Sequence, residues 1–300
     1  MVTSKLFLNY VYMGSMFNKT KPSNTTGLIK KEDIVKKALL AGINYTDTDN
    51  QLNGCINDTE NLRDFLLKNK YFEQNELTMM NDFKTGEFYP SKVNMEKQLN
   101  ELVVFANSDV NKGKKVYLFF SYSGHGYHID DENGDEEDGQ DEVLCPIDCM
   151  ENGFIVDDDL RSNFIDKLNE NVTLVVLIDA CHSSTMLDLK YNYNCDTKNS
   201  YRVYGKIPDT KCNLIMISGC LDSQTSADAY IPDVTTKKYE YQGAMTAAFL
   251  NNYKDEISTK KLVKAMREWL KVGKYTQIPQ LTSGKFIDVS KPFLMSVFND

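Results

Sequence analysis

Along the chain, short unbroken runs of apolar residues alternate with stretches whose apolar residues recur every three or four positions. Ala38-Leu39-Leu40-Ala41-Gly42-Ile43 ends at Asn44 and a polar stretch, which predicts a strand buried on both faces. Val116-Tyr117-Leu118-Phe119-Phe120-Ser121-Tyr122 and Val172-Thr173-Leu174-Val175-Val176-Leu177-Ile178 repeat that pattern, and Leu214-Ile215-Met216-Ile217 is a shorter version of it. Between the strands, Asp58 to Lys68 carries Leu62, Phe65 and Leu66 at helical spacing, 91–107 carries Val93, Leu99, Leu102, Val103 and Phe105, and Asp159 to Leu168 reads as a short helix. Helices near 243–253 and 259–271 and a closing segment around Pro279-Gln280-Leu281 complete the order. Strands alternating with helices imply right-handed crossovers, so the expected fold class is α/β, with a central mostly parallel sheet flanked by helices as a three-layer sandwich.

Two stretches lack a pattern. Residues before 37 are rich in Asn, Thr, Ser and Lys, so 1–36 reads as an exposed arm or prosegment. Residues 188–212 are polar and rich in Tyr and Lys, which predicts a linker loop, and long loops inside compact domains usually serve a function. The remainder, 37–300, is expected to be a single domain, with 37–187 ahead of the linker and 213–300 behind it.

Composition agrees with a single globular core: 300 residues, 41% hydrophobic and 11% aromatic. A net charge of −9 disfavours a nucleic-acid role, since phosphate binding needs clustered Lys and Arg. Acidic residues bunch at 130–142 and 157–159, as a solvated loop or a hard-cation site would require. Seven irregularly spaced cysteines fit a reducing compartment, hence a cytoplasmic location. The segment after Lys5 is interrupted by Asn9 and tyrosines, unlike a signal peptide, and no window reaches the 18 or so apolar residues of a membrane span. The expected partners are therefore neither nucleic acid nor membrane.

The chemistry sits where strands end, the place at which open α/β sheets gather reactive groups. One strand delivers Ser123-Gly124-His125-Gly126 and another Asp179-Ala180-Cys181-His182-Ser183. A thiol is a weak nucleophile at neutral pH and needs an imidazole to take its proton, which makes Cys181 the nucleophile and His125 its base. A lone Cys ending a buried strand is more often packing, and a Gly-His-Gly turn alone says little; the pair is the stronger signal. His128 and His182 are poorer bases, His182 because an extended chain turns it away from its neighbour. The amides of Gly126 and Cys181 are candidates for an oxyanion hole.

Tyr122-Ser123-Gly124-His125-Gly126 and Asp179-Ala180-Cys181-His182-Ser183 resemble the His and Cys motifs of metacaspases. Gly54-Cys55-Ile56-Asn57-Asp58, Cys145-Pro146-Ile147-Asp148, Ser218 to Asp228 and Gln277-Ile278-Pro279-Gln280-Leu281 resemble further family blocks in family order, so the likeness spans about 37–287. One departure is Ser184, where many relatives carry Gly. The separation of His and Cys is near the roughly 50 residues known in caspases.

The resemblance implies a caspase-like fold and a Ca²⁺-dependent cysteine endopeptidase that cleaves protein or peptide substrates after Arg or Lys. It implies an acidic pocket of Asp58, Ser123 and Asp179, and two carboxylates flanking a slot are suited to a guanidinium or ammonium group. Asp58 reads equally as the N-cap of the 58–68 helix, and Asp179 as a group that orders the nucleophile loop. The resemblance also implies calcium ligands at Asp141, Asp157, Asp158 and Asp188, carboxylates as a hard cation requires. The acidic loop itself fails the EF-hand pattern, with Glu136 where Gly is needed, and zinc on Cys145, Cys149 and His128 lacks a fourth ligand. Self-cleavage is expected at the basic residues of 188–212, namely Lys190, Lys198, Arg202, Lys206 or Lys211, with a monomer as the expected state. The competing readings are a catalytically silent Ca²⁺-responsive scaffold of this fold and a separase- or legumain-like hydrolase.

Overall fold

A computed structural model describes residues 33–130, 139–181, 183, 186–197, 200–219, 228–232, 238–293 and 295. Its elements run β1 (Ile34–Gly42), α1 (Cys55–Lys68), β2 (Leu77–Asn81), α2 (Lys92–Asn107), β3 (Lys115–Ser123), β4 (Gly126–Asp130), β5 (Gln140–Leu144), α3 (Cys149–Asn152), β6 (Ile155–Val156) and α4 (Asp157–Asn163). They continue with β7 (Val172–Asp179), β8 (Tyr191–Asn194), β9 (Ser200–Val203), β10 (Asn213–Ser218), β11 (Asp228–Pro232), β12 (Tyr239–Gly243), α5 (Ala244–Asn252), α6 (Thr259–Val272) and β13 (Gln280–Ser283).

The main sheet has eight strands in the order β2-β1-β3-β7-β10-β13-β8-β9. Neighbours from β2 to β10 pair parallel, and β13, β8 and β9 add on antiparallel. Side chains alternate across a strand, so each central strand feeds two cores. Leu39, Leu118, Phe120, Leu174 and Val176 pack on one face with Leu99 and Leu102 of α2 and Leu160 of α4. Leu40, Phe119, Val175 and Leu177 pack on the other with Leu62 and Leu66 of α1, Phe249 of α5 and Met266 of α6. Burial on both faces explains why these strands read as continuous apolar runs.

Several sequence-based boundaries shift. β1 begins at Ile34, so the domain starts ahead of residue 37, and most of the expected arm, 1–32, lies outside the described residues. Residues 188–212 are not a plain loop, because the hairpin β8–β9 extends the sheet edge there. The closing segment around 280 is an interior strand held between β10 and β8, and the sheet's edges are β2 and β9. The helix expected at 159–168 is α4 followed by a 3-10 turn at Ile165–Lys167. The acidic loop is flanked by β4 and β5, with 131–138 outside the described residues.

Register sets up the site. Gly42 of β1 stands opposite Ser123 of β3, and Ser123 stands opposite Asp179 of β7, so three parallel strands end level. α1 starts at Cys55 with Gly54 as N-cap, so Asp58 lies within the first turn and is not the cap. The absence of a side chain at Gly42 lets α1 close on the sheet: a Cβ there would lie 2.2 Å from the Cys55 carbonyl oxygen and 2.8 Å from Thr59 Cγ2. That close approach carries Asp58 to the strand ends.

Candidate active site

Pairing between β3 and β7 continues one step past the strands, with Gly124 N donating to the Asp179 carbonyl at 3.3 Å. Both chains then turn out of the sheet at His125 and Cys181. A Cβ on Gly126 would fall 2.1 Å from the Cys181 carbonyl oxygen, so glycine at 126 is what lets the histidine segment lie directly against the cysteine segment. Both His125 and Cys181 are partly accessible. Cys55, Cys145, Cys195 and Cys212 are buried instead, and burial pushes the Cys145 thiol up to about 12 and those of Cys195 and Cys212 up to about 11, which keeps them protonated. No described cysteine is in a disulfide.

The imidazole is held from two sides. His125 Nε2 lies 2.7 Å from the Asn50 carbonyl oxygen. A carbonyl only accepts, so Nε2 carries the proton, and in the neutral ring Nδ1 keeps the lone pair needed by a base. The backbone is clamped by two buried tyrosines: His125 N donates to Tyr45 Oη at 3.0 Å, and Tyr122 Oη donates to the His125 carbonyl at 2.7 Å. Tyr45 Oη in turn donates to the Cys145 carbonyl at 2.6 Å, and its ring lies 4.6 Å from the imidazole. Burial holds both phenols well above their ordinary pKa, so they remain donors. The loop carrying Tyr45 and Asn50 is fixed by Asp82 after β2, which accepts from Asn44 N, Thr46 N and Thr46 Oγ1 at 2.8–2.9 Å. Asp82, Tyr45 and Asn50 were not singled out from sequence; the motif containing Tyr122 was.

Asp58, Ser123 and Asp179 are all buried and meet beside this pair. Ser123 Oγ donates to Asp58 Oδ2 at 2.5 Å, Gly243 N donates to Asp58 Oδ1 at 2.8 Å, and Thr246 N donates to Asp179 Oδ2 at 2.8 Å. Gly243 is the N-cap of α5, so both carboxylates rest at the amino-terminal end of that helix. A Cβ on Gly243 would lie 2.2 Å from Asp179 Oδ2 and 2.5 Å from Asp58 Oδ2, so two carboxylates converge on the space that this glycine leaves open.

The four expected calcium ligands behave differently. Asp141 and Asp157 are buried, and Asp158 and Asp188 are partly buried. Asp157 meets Glu142, a buried carboxylate that sequence reading did not single out. Burial first, then the hydrogen bond and like charge of Glu142, push Asp157 up to about 9, although Glu142 N and Asp158 N donate to it. The Asp188 carbonyl accepts from Arg161 Nη1 at 2.6 Å. Among the described residues no group of three or more His, Cys, Asp or Glu side chains is gathered to hold a metal ion.

A partly accessible cysteine and a partly accessible histidine, carried by backbone segments that lie against each other at the carboxyl edge of a parallel sheet, are the arrangement expected of an α/β cysteine hydrolase. Comparison narrows that class. The metacaspase, peptidase C14 domain profile matches residues 36–190. Metacaspase-1 of Kluyveromyces lactis is 34% identical over 87% of this chain and 68% of its own length, and Metacaspase-1 of Saccharomyces cerevisiae is 32% identical over 87% and 69%. The solved structure of GSU0716 from Geobacter sulfurreducens superposes with a TM-score of 0.58 at 22% identity, over 87% of this chain and 98% of that one, a likeness of fold alone. The chain belongs to the metacaspase family, and is a cysteine-type peptidase of caspase-like α/β fold acting on protein substrates. Among the described residues no helix is long and apolar enough to cross a membrane.

Proposed function

We propose that the protein is a calcium-activated endopeptidase that cleaves after Arg or Lys, with Cys181 as nucleophile and His125 as base. Nδ1 takes the thiol proton, the thiolate attacks the carbonyl carbon, and the imidazolium then protonates the departing amine. The amides of Gly126 and Cys181 are the proposed donors to the oxyanion, and the Gly126 backbone lies against Cys181. The observation that carries the specificity is the convergence of Asp58 and Asp179 at Gly243. Two buried carboxylates held by amides offer strong charge-assisted bonds to a guanidinium or ammonium group and reject an acidic side chain.

Calcium would be held by Asp141, Asp157, Asp158 and Asp188, with Glu142 as a fifth oxygen donor. The donor set is all carboxylate, and the acid-on-acid contact of Asp157 with Glu142 is one that a divalent cation relieves. Calcium would supply positive charge between these segments, Asp188 lying seven residues after Cys181 in sequence. Self-processing is proposed at Lys206 or Lys211, both exposed and outside the strands, whereas Arg202 lies within β9 and Lys190 is paired with Asp209; Lys198, the remaining candidate, lies outside the described residues.

The test is a panel of fluorogenic peptides ending in Arg, Lys, Asp or Asn, assayed with calcium and with excess chelator. Cleavage of the Arg and Lys reagents in calcium, and its loss in chelator, is the expected result. Equal rates across the panel would remove the acidic pocket from the account, and full activity in chelator would remove the cation.

A further inference from the structure

Outside the pocket, exposed aromatic residues gather on the β11–β12 hairpin. Tyr230, Tyr239 and Tyr241 are 59%, 62% and 45% exposed, and their rings touch: Tyr230 lies 5.7 Å from Tyr239 and 5.1 Å from Tyr241. Register explains the cluster. Tyr230 pairs with Tyr241, and Tyr239 is two residues before Tyr241, so all three stand on one face of the hairpin while Ala229, Ile231 and Gln242 are buried on the other. The next residue of that same face is Gly243, the position at which Asp58 and Asp179 converge.

The aromatic ladder therefore continues from the pocket. At about 3.4 Å per residue, Tyr241 and Tyr239 stand roughly 7 and 14 Å along the strand from Gly243, the spacing at which same-side residues of an extended peptide also fall. The hairpin is anchored for such a role: Asn57 Nδ2, beside Asp58, donates to the Tyr241 carbonyl at 2.8 Å, and Asn61 Nδ2, one turn later, donates to Glu240 Oε1 at 2.9 Å. Cross-strand stabilisation needs only the Tyr230–Tyr241 pair. It leaves the third exposed ring, and the alignment with the pocket, unaccounted for.

We infer that Tyr230, Tyr239 and Tyr241 form an aromatic subsite that receives an aromatic or large apolar side chain of the substrate, a few residues from the Arg or Lys held by Asp58 and Asp179. Exposed rings backed by a rigid hairpin gain contact area with little loss of conformational freedom. This inference rests on the proposed Arg/Lys specificity and adds a second determinant to it. The substrate class is a protein segment in which a basic residue lies near an aromatic or apolar one.

The experiment uses the full chain in calcium. Peptides with one central Arg and three randomised positions on each side are cleaved and read by mass spectrometry, alongside a blocked single-arginine fluorogenic reagent that reports the acidic pocket alone. Wild type is expected to enrich Phe, Tyr, Trp or Leu at one neighbouring position, with roughly tenfold higher kcat/KM than an Ala peptide, mainly through KM. In Tyr239→Ser, and more fully in the triple variant Tyr230→Ser, Tyr239→Ser, Tyr241→Ser, the ratio of aromatic-peptide to single-arginine kcat/KM falls by about that factor. Tyr239→Ser keeps the cross-strand pair, so a misfolded triple variant does not remove the test. An unchanged ratio in Tyr239→Ser and in a folded triple variant, or no aromatic preference in wild type, overturns the subsite. Failure of wild type to cleave the single-arginine reagent overturns the underlying specificity and the subsite with it.

Discussion

Two pairs of buried carboxylates in this molecule are supported differently. Asp58 and Asp179 are met by hydrogen-bond donors, namely the amides of Gly243 and Thr246 at the start of α5 and the hydroxyl of Ser123. Asp157 is met by another acid, and burial together with Glu142 pushes it up to about 9 despite two amide donors. A carboxylate is worth burying as a charge only where donors replace its water. The first pair has those donors, and so is ready for an organic cation that comes and goes with substrate. In the second, burial and the neighbouring acid both favour the protonated form of Asp157, which a positive group would reverse.

Gly243→Ala and Asp179→Asn bear most heavily on that contrast. Losing one partner of a buried charged contact costs about 2–5 kcal/mol, so Asp179→Asn should lower kcat/KM on Arg peptides by roughly 30- to 5,000-fold, while the Asn oxygen still accepts from Thr246 N. Gly243→Ala should lose at least as much, because its methyl group occupies the space between the carboxylates. Normal Arg cleavage by either variant breaks the first half of the comparison.

Asp157→Asn tests the second half through stability. In chelator the folded wild type holds a proton on Asp157 that the unfolded chain releases near pH 4, so stability should fall as pH rises from about 4 towards 9, by up to about 1.4 kcal/mol per pH unit. The variant lacks that slope, and chemical denaturation at pH 5, 6.5 and 8 should show it gaining on wild type as pH rises. Parallel curves would mean that Asp157 is already ionised. The smallest effect is expected from Tyr45→Phe, which removes the donor to the Cys145 carbonyl and the acceptor for His125 N. A loss of about tenfold in kcat with little change in KM corresponds to about 1.4 kcal/mol, and an unchanged kcat would show that Tyr122 holds His125 alone.

The strands that carry the site were readable because burial on both faces leaves unbroken apolar runs in β1, β3 and β7, and because His125 and Cys181 directly follow two of them. Asp58, Ser123 and Asp179 came through family likeness, and their meeting at the strand ends depends on register and on Gly42, which no local pattern reveals. Strands with at least one wet face were missed: β8, β9 and β12 are rich in tyrosine, serine and asparagine and lack an apolar run. In β12 the alternation of Tyr239, Glu240, Tyr241 and Gln242 was a usable period-two signal. Tyr45 and Asn50 gave no signal, since they lie in a loop whose shape comes from Asp82, far along the chain, and from left-handed backbone at Tyr45 and Asp47.

Covalent capture tests the central claim most directly, because it reads nucleophile and pocket together. The protein in calcium is treated with a peptidyl-arginine chloromethyl ketone or its aspartyl counterpart, and the adduct is located by peptide mass spectrometry. The account predicts one adduct, on Cys181, formed by the arginyl reagent and not by the aspartyl one, and slowed in both His125→Ala and Asp179→Asn. Labelling elsewhere, or equal labelling of Cys181 by both reagents, would contradict it.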